Sequence, residues 1–138
     1  MSVNFREAAL RSHKDGVYLH DAGRLATADH LYGLASECAL KAIMIAFNVP
    51  TDASGSPKRP YREHVDVLWN EFVAYMSGRA GANYLSFIPT TNPFVDWKVE
   101  HRYEEDALVT QPRAVGHRTA TEAVMKMLEQ AILDGKVK

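Results

Sequence analysis

The sequence predicts an all-α fold: a four- to five-helix up-and-down bundle built as one domain over residues 1–138. Three observations carry this. All six prolines (Pro50, Pro57, Pro60, Pro89, Pro93 and Pro112) fall in segments without helical periodicity, which leaves four proline-free stretches. Within those stretches apolar residues recur at spacings of three and four, the period of a helix with one buried face. No segment shows the period-two alternation of a half-buried strand, so essentially no sheet is expected.

The first helix opens at Asn4-Phe5-Arg6-Glu7, a capping box in which a short polar side chain serves a free N–H and an acid follows three residues on. It runs to about His20, and Asp21-Ala22-Gly23 breaks it. The second covers about Arg24 to Asn48 and is apolar on most sides, which predicts a central position. The third follows Pro60, places Val65, Leu68, Trp69, Phe72, Val73 and Met76 on one stripe, and stops at Ser77-Gly78. The fourth is expected to start at a second capping box, Thr119-Ala120-Thr121-Glu122. It buries Ala120, Ala123, Val124, Met127, Leu128, Ala131 and Ile132, with Glu122 and Lys126 as an exposed pair.

Two connections lie outside this scheme. Residues 51–60, TDASGSPKRP, read as a mobile polar loop. Residues 78–118 are too long to lack structure in a compact domain. A short additional helix is expected near Phe94–Tyr103, with the aromatics Tyr84, Phe87, Phe94, Trp97 and Tyr103 packed onto the bundle.

The bulk composition narrows the function classes. A formal net charge of -1 gives no global attraction to nucleic acid or anionic lipid, so any anion binding must come from a local patch. One cysteine, Cys38, excludes an internal disulfide and a cysteine-only metal cage, and its apolar neighbours predict a buried, inert thiol. The N-terminal sixteen residues lack the apolar core of a signal peptide. The longest apolar window, around residues 38–47, contains Lys41 and is too short to span a bilayer. A reducing cytoplasm and no membrane are expected. No cofactor is implied. The six histidines include no HxxxH pair on a predicted helix, so no metal site is expected either.

The stretch LYGLASECALKAIMIAF (residues 31–47) poses the main chemical question, because two opposite charges interrupt an otherwise apolar helix. At about 100° per residue, His30, Leu34, Glu37 and Lys41 fall within about 60° of one another. Buried charges must be paired or turned toward a shared polar feature. Two readings follow: an ion pair at the bundle edge or a dimer seam, or a ligand-binding polar stripe of Glu37, Lys41 and His30. On the first helix Arg6, His13 and His20 recur every seven residues and read as a solvated face. The basic cluster Arg59, Arg62 and Lys58, just before His64 at the start of the third helix, is the local candidate for phosphate contact. GRAGAN (residues 78–83) lacks the pattern of a nucleotide loop, and no GxSxG elbow is present.

These segments resemble the HEPN superfamily of helical bundles. The second-helix pattern G-x-A-x-E-x-x-L-K-A is matched by Gly33, Ala35, Glu37, Leu40, Lys41 and Ala42, preceded by the similar AGRLATADHLY. EHVDVLW (residues 63–69) is similar to the start of that family's third helix. WKVEHRYEED (residues 97–106) is similar to its Trp…Arg-Tyr segment before the last helix. The resemblance implies an all-helical bundle that homodimerises and works around RNA. Some members are metal-independent ribonucleases acting as toxins, and others are non-catalytic partners of a nucleotidyltransferase-type protein. The nuclease branch carries an Arg followed, four to six residues later, by a His, with a polar residue after the Arg. Here Arg102 stands at the expected place, but Tyr103 follows it and the stretch YEEDALV contains no His. Arg113 and His117 are separated by only three residues, with Ala114 in the polar slot. The nuclease motif is therefore absent or degenerate.

The expected function is accordingly a non-catalytic, dimeric HEPN-like module that binds nucleotide, RNA or a nucleotidyltransferase-type partner. The alternative is a metal-independent ribonuclease with an atypical site on Arg102, joined by His101 or by His64 from the third helix. Metal-free RNA cleavage needs a base for the 2′-hydroxyl and a cation for the developing phosphorane charge. In that alternative Glu37 would hold Arg102 and Lys41 a phosphate.

Overall fold

The computed structural model describes residues 2–138 and is all-helical: no strand occurs among them, only an antiparallel bridge between Thr51 and Pro57. Four α-helices make the bundle, α1 (Phe5–Asp21), α2 (Leu25–Ala46), α3 (Val65–Met76) and α4 (Gln111–Leu133). The Asn4 side chain accepts from the Glu7 backbone N–H at 3.0 Å and fixes the start of α1. Gly23, at φ +80°, permits the turn into α2.

Helix α2 is the spine, packed on α1, α3 and α4 alike. Its small residues explain why. Ala28, Ala35, Ser36 and Ala39 are fully buried, and they let the neighbouring helices approach while Tyr32, Leu40, Ile43 and Met44 fill the gaps. From α3, Val65, Leu68, Trp69, Phe72 and Met76 enter the same core, as the stripe predicts; Val73 is only partly covered. Each such large side chain contributes about 1.5–3 kcal/mol by leaving water.

Helix α4 starts nine residues before the predicted position. Thr110, not Thr119, is its N-cap, and the Thr110 hydroxyl accepts from the Arg113 N–H at 3.4 Å. Pro112 sits within the first turn, where a backbone N–H has no intrahelical acceptor to lose. The apolar pattern hides this extension because the added turns bury polar groups. His117 and Thr121 face the core, and Thr121 Oγ1 bonds to Tyr32 O, His117 O and Ser36 Oγ. Thr110→Ala should therefore cost about 1 kcal/mol by loss of a cap. Thr119→Ala, at an exposed mid-helix position, should instead stabilise by a few tenths of a kcal/mol through helix propensity, roughly. Paired urea denaturation curves check both, and the opposite order would restore the shorter helix.

The long connection holds three 3-10 helices, Ala82–Phe87, Val99–Tyr103 and Asp106–Leu108, in place of the short helix expected near Phe94–Tyr103. Phe94 and Trp97 precede the middle one, in turns, and are fully buried, as is Tyr84 nearly so. Phe87 and Tyr103 remain exposed. The segment is anchored at discrete points. Trp69 Nε1 donates to Pro89 O, Asn92 bonds both Asp66 O and Phe94 N, and Trp97 Nε1 donates to Asp29 O at 3.1 Å. Gly33 is required there, because the indole of Trp97 lies where a β-carbon would stand. The 51–60 loop is organised by Asp52, whose carboxylate accepts from Ser54 N, Ser54 Oγ and Ser56 N.

Candidate functional site

The two charges on α2 form one pair under cover. Lys41 Nζ lies 3.0 Å from Glu37 Oε2, with both side chains more than nine-tenths buried at 9% and 8% exposure. The second oxygen of Glu37 receives His64, whose Nδ1 lies 2.9 Å from Oε1. His64 is the N-cap residue of α3, and its side chain turns to Glu37 instead of capping that helix. A carboxylate at Nδ1 holds the ring proton there. The His64 side chain is half-exposed.

Two turns before Glu37, His30 stacks on Trp97 with ring centroids 5.6 Å apart, and His64 approaches the same indole at 6.5 Å. Burial lowers the His30 pKa, the charges of Arg102 and His64 add to that, and Asp29 and Glu37 oppose it. His30 is thus held toward the neutral form, and its buried Nδ1 has no hydrogen-bond partner. Arg102 is exposed with its guanidinium 4.8 Å from the Tyr103 ring centre, and among the described residues no carboxylate pairs with it. His30, His101 and Arg102 line one cavity of about 100 Å³. A second cavity of about 410 Å³ adjoins it through Ala26, Thr27 and Asp106, at the start of α2. There Arg24 is the N-cap residue without a side-chain cap, and the first turn contains no acid. Free N–H groups and the positive end of a long helix therefore face that cleft. Glu104 and Asp106 stand on its rim.

Behind this wall is a cluster that residue spacing alone did not single out. His117 on α4 is 3% exposed and lies between two carboxylates. Its Nδ1 is 2.6 Å from Asp29 Oδ1 on α2, and its Nε2 is 2.8 Å from Asp96 Oδ1 on the long connection. Burial pulls the His117 pKa down, but the hydrogen bonds and charges of Asp29 and Asp96 outweigh it and leave it raised. Burial pushes the Asp96 carboxyl up, yet His117 and Arg113 hold it below the usual range. Arg113 also reaches Asp96 (Nε to Oδ2, 3.7 Å), donates to the Asp96 carbonyl, and lies 3.0 Å from His101 Nδ1. Phe94 stacks on the His117 ring at 5.0 Å. The available signal was Arg113 and His117 at helical i,i+4 spacing. It became readable only once α4 is known to start at Gln111.

The remaining candidates are placed apart. Arg62 pairs with Asp52 at 2.8 Å, and Arg59 is exposed on the same loop without a hydrogen bond. Neither is joined to the His30 cleft by any contact. Glu37 holds Lys41 and His64, not Arg102, and the Lys41 ammonium is covered, so the expected division of Glu37 for arginine and Lys41 for phosphate does not describe the geometry. His20, expected in a solvated row with Arg6 and His13, is buried and bonds Tyr32 Oη and Gln111 Oε1. Cys38 is buried, and desolvation pushes its thiol up to about 11, as expected of an inert cysteine. Among the described residues no three His, Cys, Asp or Glu side chains converge to hold a metal ion. The two ligand nitrogens of His117 point to opposite carboxylates, not to a common centre. No helix is long and apolar enough to cross a membrane.

Comparison with protein-family models, with curated proteins and with solved structures returns no match to this chain.

Proposed function

We propose that this chain is a non-catalytic, homodimeric HEPN-like module that binds a phosphate-bearing ligand, a nucleotide or RNA, at the cleft beside the start of α2. The observation that carries the reading is the meeting of His30, His101 and Arg102 in one cavity next to an uncapped helix N-terminus. An unpaired guanidinium and free N–H groups suit a phosphate, and neutral His30 adds a hydrogen-bond donor without a further charge. Absence of cleavage is supported by the fate of the Arg–His pair at the start of α4. Both nitrogens of His117 are occupied and its ring is covered, so it has no free position for a substrate. The homodimer, and a nucleotidyltransferase-type protein as its partner, follow from the family resemblance.

One geometry favours a second reading, a metal-independent ribonuclease. His64, positioned by Glu37 and half-exposed, has the form of a general base, and Arg102 would meet the developing charge. The test uses pure protein with single-stranded and structured RNA in EDTA. Binding without cleavage is expected, with affinity falling about tenfold in Arg102→Ala, the loss of one charge-assisted contact. Metal-free cleavage lost in both His64→Ala and Arg102→Ala, with helical content intact, would transfer the conclusion to the ribonuclease. RNA left unbound by the wild type would remove both readings.

A further inference from the structure

We infer that Asp29, His117 and Asp96 form a proton-operated latch that holds the Phe94–Leu108 wall against the helical bundle. The geometry demands a proton. A neutral imidazole has one N–H, but here each ring nitrogen faces a carboxylate oxygen within 2.8 Å, so with both carboxylates ionised each nitrogen donates and the ring is an imidazolium.

Removing that proton affects the two sides unequally. Asp29 is 2% exposed, and among the described residues His117 Nδ1 is the one side-chain donor on its carboxylate, so the remaining N–H stays there. Nε2 then turns a lone pair toward the Asp96 carboxylate, which is 56% exposed and can leave for water. Asp96 is one of the points where the wall is tied to α4, beside the contacts of Arg113 with Asp96 and His101 and the Phe94 stack on His117. Trp97 follows directly, with its indole in the Gly33 slot and bonded to Asp29 O, and Val99–Tyr103 comes next with His101 and Arg102. Release of Asp96 therefore loosens the wall bearing those two side chains.

Every charged group facing the latch fits this sequence of events. Asp29 comes from α2, Asp96 from the connection, and Arg113 from the preceding turn of α4. Arg113 balances the second carboxylate and contacts His101. On α1, Asp21 pairs with Arg118. The His117 pKa is raised by folding, so the latch is fully set below the ordinary value of 6.5 and is lost as pH rises through the folded value.

The inference stands whether or not the cleft binds a phosphate, and it is tested on the chain without ligand. Ring ¹⁵N spectra report the protonation of His117. Hydrogen-exchange protection factors of the Trp97 indole N–H and of amides 97–104 report the wall. In the wild type these factors should drop as His117 loses its proton, while those of α2 residues such as Leu40 and Ile43 hold. Asp96→Asn should keep the wall protected across the same range, because a carboxamide can turn to accept from the imidazolium or donate to the neutral ring. Three results would overturn the latch: a neutral His117 while the wall is closed, unchanged wall protection after deprotonation, or an Asp96→Asn wall that opens in step with the wild type.

Discussion

Replacing Gly33 with alanine is expected to destabilise the protein by about 3 kcal/mol, at the upper end of what overpacking costs. The added methyl would occupy the space of the Trp97 indole, which is 1% exposed and has no room to slide. Either the indole leaves its slot, losing its burial and its bond to Asp29 O, or α2 moves away from the whole connection. Both routes disturb the same wall that carries His101 and Arg102. The measurement is a urea denaturation midpoint together with tryptophan emission, which should shift red as the indole meets water. Trp97→Leu in the same chain should recover part of the loss, since the smaller side chain makes room for the methyl. A Gly33→Ala protein within about 0.5 kcal/mol of wild type, the scatter of ordinary surface substitutions, would show that the indole does not pack on Gly33.

Lys41→Met is the second large effect, expected at about 3 kcal/mol because it leaves the covered Glu37 carboxylate without its cation. His64 remains as a partner and sets the cost at the lower end of the range for broken buried pairs. The apolar replacement itself fits, as Lys41 is buried among α2 side chains and its ammonium already lies 5.7 Å from the Phe5 ring. Removing both charges, Glu37→Met with Lys41→Met, should therefore restore most of the stability, since the cost of the single change is an unpaired charge and not a lost volume. Equilibrium denaturation of the two single variants and the double variant gives the coupling directly. Additive losses would mean that the two side chains do not interact, and that α2 is not a spine with its charges turned inward.

The outline of the bundle was legible because helices declare themselves locally. Asn4 and Glu7 mark a start, Gly23 and Gly78 mark stops, and the α3 stripe from Val65 to Met76 repeats the helical period without interruption. The start of α4 was misplaced for an equally local reason. Pro112 reads as a breaker unless it is known to lie in a first turn, and the buried face of the next turns is made of Ala114, His117 and Thr121, which carry little hydrophobic signal. Burial of a histidine and a threonine depends on partners 85 to 89 positions away, at Ser36, Asp29 and Tyr32. No spacing rule within the chain reports such partners. Likewise, nothing in the sequence around Asp96 distinguishes it from a surface aspartate.

By itself the sequence determined the class of fold, the central place of α2, and the need for Glu37 and Lys41 to meet a polar partner, because periodicity and the cost of burying charge act within a few residues. Only the tertiary structure decided which partner: His64 for Glu37, Trp97 for Gly33, and two carboxylates for His117. Those choices depend on which side chains the packed helices bring within about 3 Å, a hydrogen-bond distance that is set by the global arrangement and by no local stretch of chain.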